Sequence, residues 1–175
     1  GMDLDAIQAA MAAAASQANR AIREEAARKP EYAGMGTTLV SAVSGKDGIV
    51  LVNVGDSRAY RITAEGIQRI TRDHSLVESM VEKGDITEEE ARRHPNRNLI
   101  TRALGTDETV ESDGYRTTLS EGEYLLLCTD GLTITVTDQE MLFEIVHGGD
   151  EESCLSRLLA IAKEHGAPDN VTAVL

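Results

Sequence analysis

The chain has 175 residues, the usual size of one domain, and a chain of that length buries about 70% of its unfolded surface and builds a core without staples. Its net charge of −13, with no basic cluster beyond pairs such as Arg92-Arg93, argues against a nucleic-acid partner, and 3% aromatic residues with no tryptophan argue against stacking on bases. With only Cys128 and Cys154 in no metal or redox spacing, no apolar run near the roughly 18 residues of a membrane span, and no signal peptide, a soluble cytoplasmic protein without a membrane partner is expected.

Gly1-Met2 reads as the remnant of a tag ahead of a start methionine. From Asp3 to Lys29 the pattern is helical, because Leu4, Ile7, Met11, Ala14, Ala18 and Ile22 recur at spacings of three and four. Asp3 caps its start and Pro30 stops it, and its many alanines leave a thin face suited to a flat neighbour. Thr37–Val43, Ile49–Val54, Arg58–Thr63 and Gly66–Thr71 then read as four short strands, joined by glycine-rich and Asx turns into an antiparallel meander. Residues 72 to 105 form a polar helical insert. It holds a helix from Ser75 to Lys83 closed by Gly84, and a second opened by the capping box Thr87-Glu88-Glu89-Glu90 and ended by His94-Pro95. Strands resume at Tyr115–Leu119 and Glu123–Cys128, followed by helices Asp138–His147 and Asp150–His165 and a last strand, Asn170–Leu175. The expected fold is α+β, an antiparallel β-sandwich flanked by helices, in a single domain over residues 1–175.

Three acids share a setting at strand ends beside glycine or proline: Asp56 after Gly55, Asp130 before Gly131, and Asp169 between Pro168 and Asn170. A strand fixes where a carboxylate points, small neighbours admit backbone and ions, and gathered carboxylates suit hard cations such as Mg²⁺ or Mn²⁺. On the residues alone each has a second reading: a hairpin turn at Asp56, a turn or the cap of a following segment at Asp130, an Asx turn at Asp169-Asn170.

Several motifs occur in order: Gly34-Met35-Gly36-Thr37-Thr38-Leu39, Val54-Gly55-Asp56-Ser57-Arg58-Ala59-Tyr60, Thr71-Arg72-Asp73-His74-Ser75-Leu76-Val77, Glu90-Ala91 with His94-Pro95-Asn96-Arg97-Asn98, Arg102-Ala103-Leu104-Gly105, Leu125-Leu126-Leu127-Cys128-Thr129-Asp130-Gly131-Leu132, and Pro168-Asp169-Asn170-Val171-Thr172. The set resembles the bacterial members of the protein phosphatase 2C family, the metal-dependent serine/threonine phosphatases. The resemblance implies a β-sandwich between helices and hydrolysis of phosphate monoesters by water activated at a pair of Mn²⁺ or Mg²⁺ ions, with a third ion in bacterial members. It implies that Asp130 and Asp169 are ligands of the pair and that Asp56 helps Asp130 to hold the third ion, with Gly55, Arg58, Gly131 and Asn170 as structural neighbours. Residues 72 to 105 match a mobile flap that influences substrate choice, with Asp73, His74, Ser75 and Asn98 among its residues. Phosphorylated proteins and a cognate serine/threonine kinase are the implied partners.

The chain also departs from that pattern. The strands that carry the phosphate-binding arginine, and an Asp-Gly-Met-Gly-Gly-His-like segment with two metal ligands and a candidate general acid, have no counterpart here, so no catalytic residue is identified and the domain reads as N-terminally truncated. After Asp130 the chain reads Leu132-Thr133-Ile134-Thr135-Val136 where the family has an acid or polar residue. Weak or absent activity and weak or absent metal binding are therefore expected of this chain alone, together with open sheet edges through which two copies would pair. A non-catalytic phosphatase-like binding or regulatory module is the alternative. His74, His94, His147 and His165 show no zinc-like spacing and read as structural or surface residues, Cys128 as a buried strand residue, and Arg58 as an arginine paired with an acid.

Overall fold

The computed structural model describes residues 3–175; Gly1-Met2 lies outside them. In chain order the elements are α1 (Leu4–Arg28), a 3₁₀ turn (Pro30–Tyr32), β1 (Leu39–Gly45), β2 (Gly48–Val54), β3 (Arg58–Thr63), β4 (Gly66–Arg69), α2 (Leu76–Lys83), α3 (Glu88–Arg93), β5 (Asp113–Thr117), β6 (Tyr124–Cys128), α4 (Asp130–Thr133), α5 (Asp138–His147), α6 (Glu151–Glu164) and β7 (Ala173–Val174). The class is α+β with antiparallel sheets throughout, as expected. Among the described residues, no helix is long and apolar enough to cross a membrane.

The chain forms two compact units: residues through Asp56 together with Arg72–Thr118, and Ser57–Thr71 together with Leu119–Leu175. The first holds the three-stranded sheet β1-β2-β5, against which α1 packs. Residues 50 to 54 of β2 are buried without a break, as a central strand covered on both faces should be. The inward face of α1 is Ile7, Ala15 and Asn19, while Ala14, expected inward, is exposed. A polar residue at that place escapes a search for apolar periodicity, but Asn19 is satisfied there. Its Oδ1 accepts from the Gly105 N–H at 2.6 Å and its Nδ2 donates to the Asp107 carbonyl at 3.1 Å, tying the loop after residue 104 to the helix.

The second unit holds the sheet β4-β3-β6-β7 with α4, α5 and α6. Its core is one cluster around Tyr60, Ile62, Leu126, Leu132, Met141 and Leu158, each of them 0% exposed. Truncating one of these leucines to alanine costs about 3–5 kcal/mol in a well-packed core. Asp3 stands at the N-cap position of α1 but its side chain makes no capping hydrogen bond there; three later helices follow their sequence signals. Thr87 and Thr137 each form a complete capping box with the glutamate three residues on, Asp150 accepts from the Ser153 N–H, and α3 stops at His94, before Pro95.

The expected four-strand meander is corrected. β1-β2 and β3-β4 are hairpins in different sheets; β2 takes β5 as its second neighbour and β3 takes β6. The cause lies at Gly55, whose N–H donates to His74 Nδ1 and whose carbonyl accepts from the His74 N–H, so neither group is left for a hairpin after β2. Three strands are also shorter than expected, β6 by one residue and β4 and β7 by more. β4 ends at Arg69 because the chain then binds β3 sideways, with the Thr71 hydroxyl accepting from the Ala59 N–H at 2.9 Å. β7 is only Ala173–Val174, since the Asn170 N–H turns back onto Asp169 Oδ1 at 2.7 Å.

Candidate metal centre

In the second unit, β6 carries the apolar run Tyr124–Cys128 through the core and delivers Thr129 and Asp130 at its end. There the chain turns at once into the one-turn helix α4, with Thr129 at the N-cap position and Asp130 as the first helical residue. The cap weighed at Asp130 thus falls one residue earlier, at Thr129, in keeping with a threonine followed by an acid before an apolar residue as a helix-start signal. β7 runs antiparallel beside β6 in the register Cys128↔Ala173. Beyond that pair the Thr129 N–H donates to the Thr172 carbonyl, and the Thr172 N–H donates to Thr129 Oγ1, both at 3.0 Å. The zipper carries Asp130-Gly131 up against Asn170: a Cβ on Gly131 would stand 2.1 Å from the Asn170 carbonyl oxygen.

Asp130 and Asp169 therefore flank one backbone contact at the end of the β6–β7 pair, Asp130 half-buried and Asp169 exposed. Two hard oxygen donors brought to one place by closely packed backbone fit Mn²⁺ or Mg²⁺, and they fill only part of the octahedral shell that Mg²⁺ demands. Among the described residues, no three His, Cys, Asp or Glu side chains gather into a cation-holding group.

In the first unit, Asp56 is half-buried and follows Gly55 at the end of β2. A polar network lies around that turn. The side-chain amide of Asn53, fully buried, donates to the Gly55 and Arg72 carbonyls at 3.3 and 3.1 Å. His74, 7% exposed, takes the Gly55 N–H on Nδ1 at 3.0 Å and meets Asp113 Oδ2 through Nε2 at 2.9 Å. Arg102 Nη1 donates to Asp113 Oδ1 at 3.0 Å and to the Glu111 carbonyl at 2.9 Å. Asn53 and Asp113 stand opposite each other in the β2–β5 register, which is why two distant polar residues meet here. Asp113 was not picked out from sequence, because an acid at a strand start carries no signal of its own. Asn53, a polar break in the run Ile49–Val54, was the available clue.

Burial raises the pKa of Asp113, but the hydrogen bonds from His74 and Arg102 and the Arg102 charge outweigh it and hold the carboxyl below the usual carboxylate range. A carboxylate depressed in the folded state stabilises fully above its unfolded value of about 3.9 and loses that stabilisation as pH falls through the lower folded value. Urea midpoints measured downward from pH 5 are thus expected to fall less steeply below about pH 4 in Asp113→Asn than in the unaltered chain.

The other residues assigned to the flap have definite places. Ser75 is buried and caps α2, its Oγ accepting from the Glu78 N–H at 3.2 Å. Asp73 is half-buried, and Asn98 is exposed on the loop after α3. The two roots of the 72–105 segment are zipped together by a Ser75–Ile100 bridge and by the Thr101 N–H donating to the His74 carbonyl at 2.9 Å. Arg58 opens β3 in the second unit and donates to the Tyr60 hydroxyl at 3.0 Å; that phenol is pushed up to about 12 by burial, which outweighs the lowering by Arg58.

Similarity to known proteins places these features in a family. Residues 3–170 match the family model described as protein phosphatase 2C. The chain is 36% identical over 159 residues to the serine/threonine phosphatase stp of Listeria welshimeri, covering 91% of this chain and 63% of that protein. It therefore spans less than two thirds of that relative's length. The crystal structure of the serine/threonine phosphatase Stp1 from Staphylococcus aureus superposes with a TM-score of 0.94 at 39% identity, over 99% of this chain and 68% of that one. The catalytic domain of the phosphatase PstP, crystallised in complex with 2 manganese ions, gives a TM-score of 0.83 at 34% identity, over 99% of this chain and 70% of that one. The Asp130 turn after β6, the Gly55-Asp56 turn and the Asp169-Asn170 turn before β7 thus sit in a chain that belongs to the protein phosphatase 2C family, whose members use Mn²⁺ or Mg²⁺ and include named serine/threonine phosphatases.

Proposed function

We propose that the protein is a metal-dependent phosphatase acting on phosphoserine and phosphothreonine in proteins, of which this chain supplies part of the metal-binding rim. The observation that supports the reading is the close approach of Gly131 to Asn170 beyond the β6–β7 pair, which puts Asp130 and Asp169 each one residue from the same backbone contact. Asp130 and Asp169 serve as oxygen ligands within the second unit; within the first, Asp56 is likewise an oxygen ligand. When bound, Mn²⁺ or Mg²⁺ supplies Lewis acidity toward a phosphate monoester and the attacking water. The residues of this chain hold the ligands in place: the Thr129–Thr172 zipper and the bare Gly131 fix Asp130, the Asn170 N–H holds Asp169 Oδ1, and the turn at Gly55 sets Asp56. The substrates are phosphoproteins supplied by a serine/threonine kinase in the same cytoplasm.

Binding of Mn²⁺ by the 175-residue chain, followed through loss of the free-ion electron paramagnetic resonance signal, tests the ligands directly. Asp130→Ala and Asp169→Ala are each expected to weaken it by about tenfold or more, since each removes a charged ligand from a small set. Hydrolysis of p-nitrophenyl phosphate by this chain is expected to be slow and to need both Mn²⁺ and Asp130. Mn²⁺ binding unchanged in Asp130→Ala, with no metal-dependent turnover, would leave a phosphatase-like binding module and overturn the catalytic reading.

A further inference from the structure

We propose that His74 is a positioning residue for Asp56: a single, fixed tautomer of its imidazole ties the peptide that precedes Asp56 to the Asp113–Arg102 ion pair. The inference rests on the reading of Asp56 as a metal ligand. It goes beyond that reading by naming what holds the ligand.

The geometry fixes the proton. A backbone N–H can only donate, so the Gly55 N–H at 3.0 Å requires an unprotonated His74 Nδ1. The ring proton then resides on Nε2, where Asp113 Oδ2 at 2.9 Å receives it. Arg102 Nη1 also lies 3.1 Å from Nε2, but two donors do not bond; its hydrogen bonds are those to Asp113 Oδ1 and the Glu111 carbonyl. The cation thus orients the carboxylate, and the carboxylate orients the ring.

The same residue holds Gly55 on both sides. Its ring takes the N–H of the Val54–Gly55 peptide, and its backbone N–H donates at 2.9 Å to the carbonyl of the Gly55–Asp56 peptide. That second peptide plane contains the nitrogen of Asp56, so its orientation sets the direction in which Asp56 leaves the turn. The amide of Asn53 adds a second donor to the same carbonyl at 3.3 Å. Nothing comparable is needed for an ordinary surface turn, which water would solvate, whereas Gly55 and His74 are both buried. His74 is itself held, since its carbonyl accepts from the Thr101 N–H at 2.9 Å.

Nitrogen NMR of the imidazole in the 175-residue chain reads the tautomer directly. Protonation on Nε2 alone is the expected result; a ring protonated on Nδ1 overturns the proposal, with no variant required. Two variants carry it to Asp56. His74→Asn can offer Oδ1 where Nδ1 stood, while His74→Leu fills the volume without an acceptor. Gly55 amide exchange is expected to quicken roughly tenfold to a hundredfold in His74→Leu, the cost of one buried unsatisfied donor, and to stay near the unaltered rate in His74→Asn. Mn²⁺ broadening of the residue 55–57 amide signals is expected to require about tenfold more metal in His74→Leu, near-normal metal in His74→Asn, and to vanish in Asp56→Asn. Equal Gly55 protection in all three His74 forms overturns the positioning role. Broadening that is absent, or indifferent to Asp56→Asn, overturns the ligand reading of Asp56 instead, and Gly55 exchange still decides what His74 does.

Discussion

Replacing Gly131 by alanine is expected to destabilise the protein by about 3–5 kcal/mol, placing it among the most damaging single-methyl insertions this fold can receive. The added Cβ would stand 2.1 Å from the Asn170 carbonyl oxygen, 2.9 Å from its carbon and 3.2 Å from Val171 Cγ2. Two of the three obstacles are backbone atoms, which have no rotamer to escape into. Relief requires moving Asn170-Val171 away from α4, and that pulls on the 3.0 Å bonds joining Thr129 and Thr172 in both directions. Each such bond contributes about 1 kcal/mol net, and Leu132, which is 0% exposed, shares the same turn. The urea midpoint reads the loss, and amide exchange at Thr129 and Thr172 locates it. Gly66→Ala is the control: no atom lies within 4 Å of its added Cβ, so a change within about 0.5 kcal/mol is expected there. Equal midpoints for the two variants would mean that β7 gives way freely. Asp169 would then not be held beside Asp130 by packing.

How much of this was legible in the sequence depends on whether the signal was local. The capping box at Thr87, the stop at His94-Pro95 and the apolar run Tyr124–Cys128 are local patterns, and the structure follows them. The partition into two sheets was not legible, because β2 and β3 are adjacent in sequence and both look like meander strands. Their separation depends on His74, 19 residues beyond Gly55, taking the backbone groups a hairpin would use. The three acids stand out through their glycine and proline neighbours, and only the family resemblance links Asp130 with Asp169, because no local pattern shows the backbone contact between Gly131 and Asn170. That contact depends on the β6–β7 register and the missing Cβ of Gly131. The Asp113–Arg102–His74 network was out of reach for the same reason, since three polar residues from separate segments have no period to reveal them.

Gly55→Ala is expected to cost about 3–4 kcal/mol and to displace Asp56 even where the rest of the unit stays folded. Two penalties add. Gly55 has a φ of +104°, outside the range L-residues adopt at low energy. Its added Cβ would also stand 2.5 Å from Thr38 Cγ2 and 2.8 Å from Thr38 Cβ. The chain can relieve both only by rotating the peptides on either side of Gly55, and those two peptides are the ones His74 holds. Loss of Gly55 protection should therefore accompany loss of Mn²⁺ broadening at residues 55–57, in the same proportion. A second substitution separates the terms. Thr38→Ser removes the Cγ2 that meets the new Cβ most closely, so the double variant should recover about 1 kcal/mol relative to the sum of the single changes. The strain of the positive φ should remain. Full recovery would mean that the turn tolerates alanine at this φ and that the glycine is there only for Thr38. Asp56 would then be set by side-chain packing rather than by the backbone His74 grips.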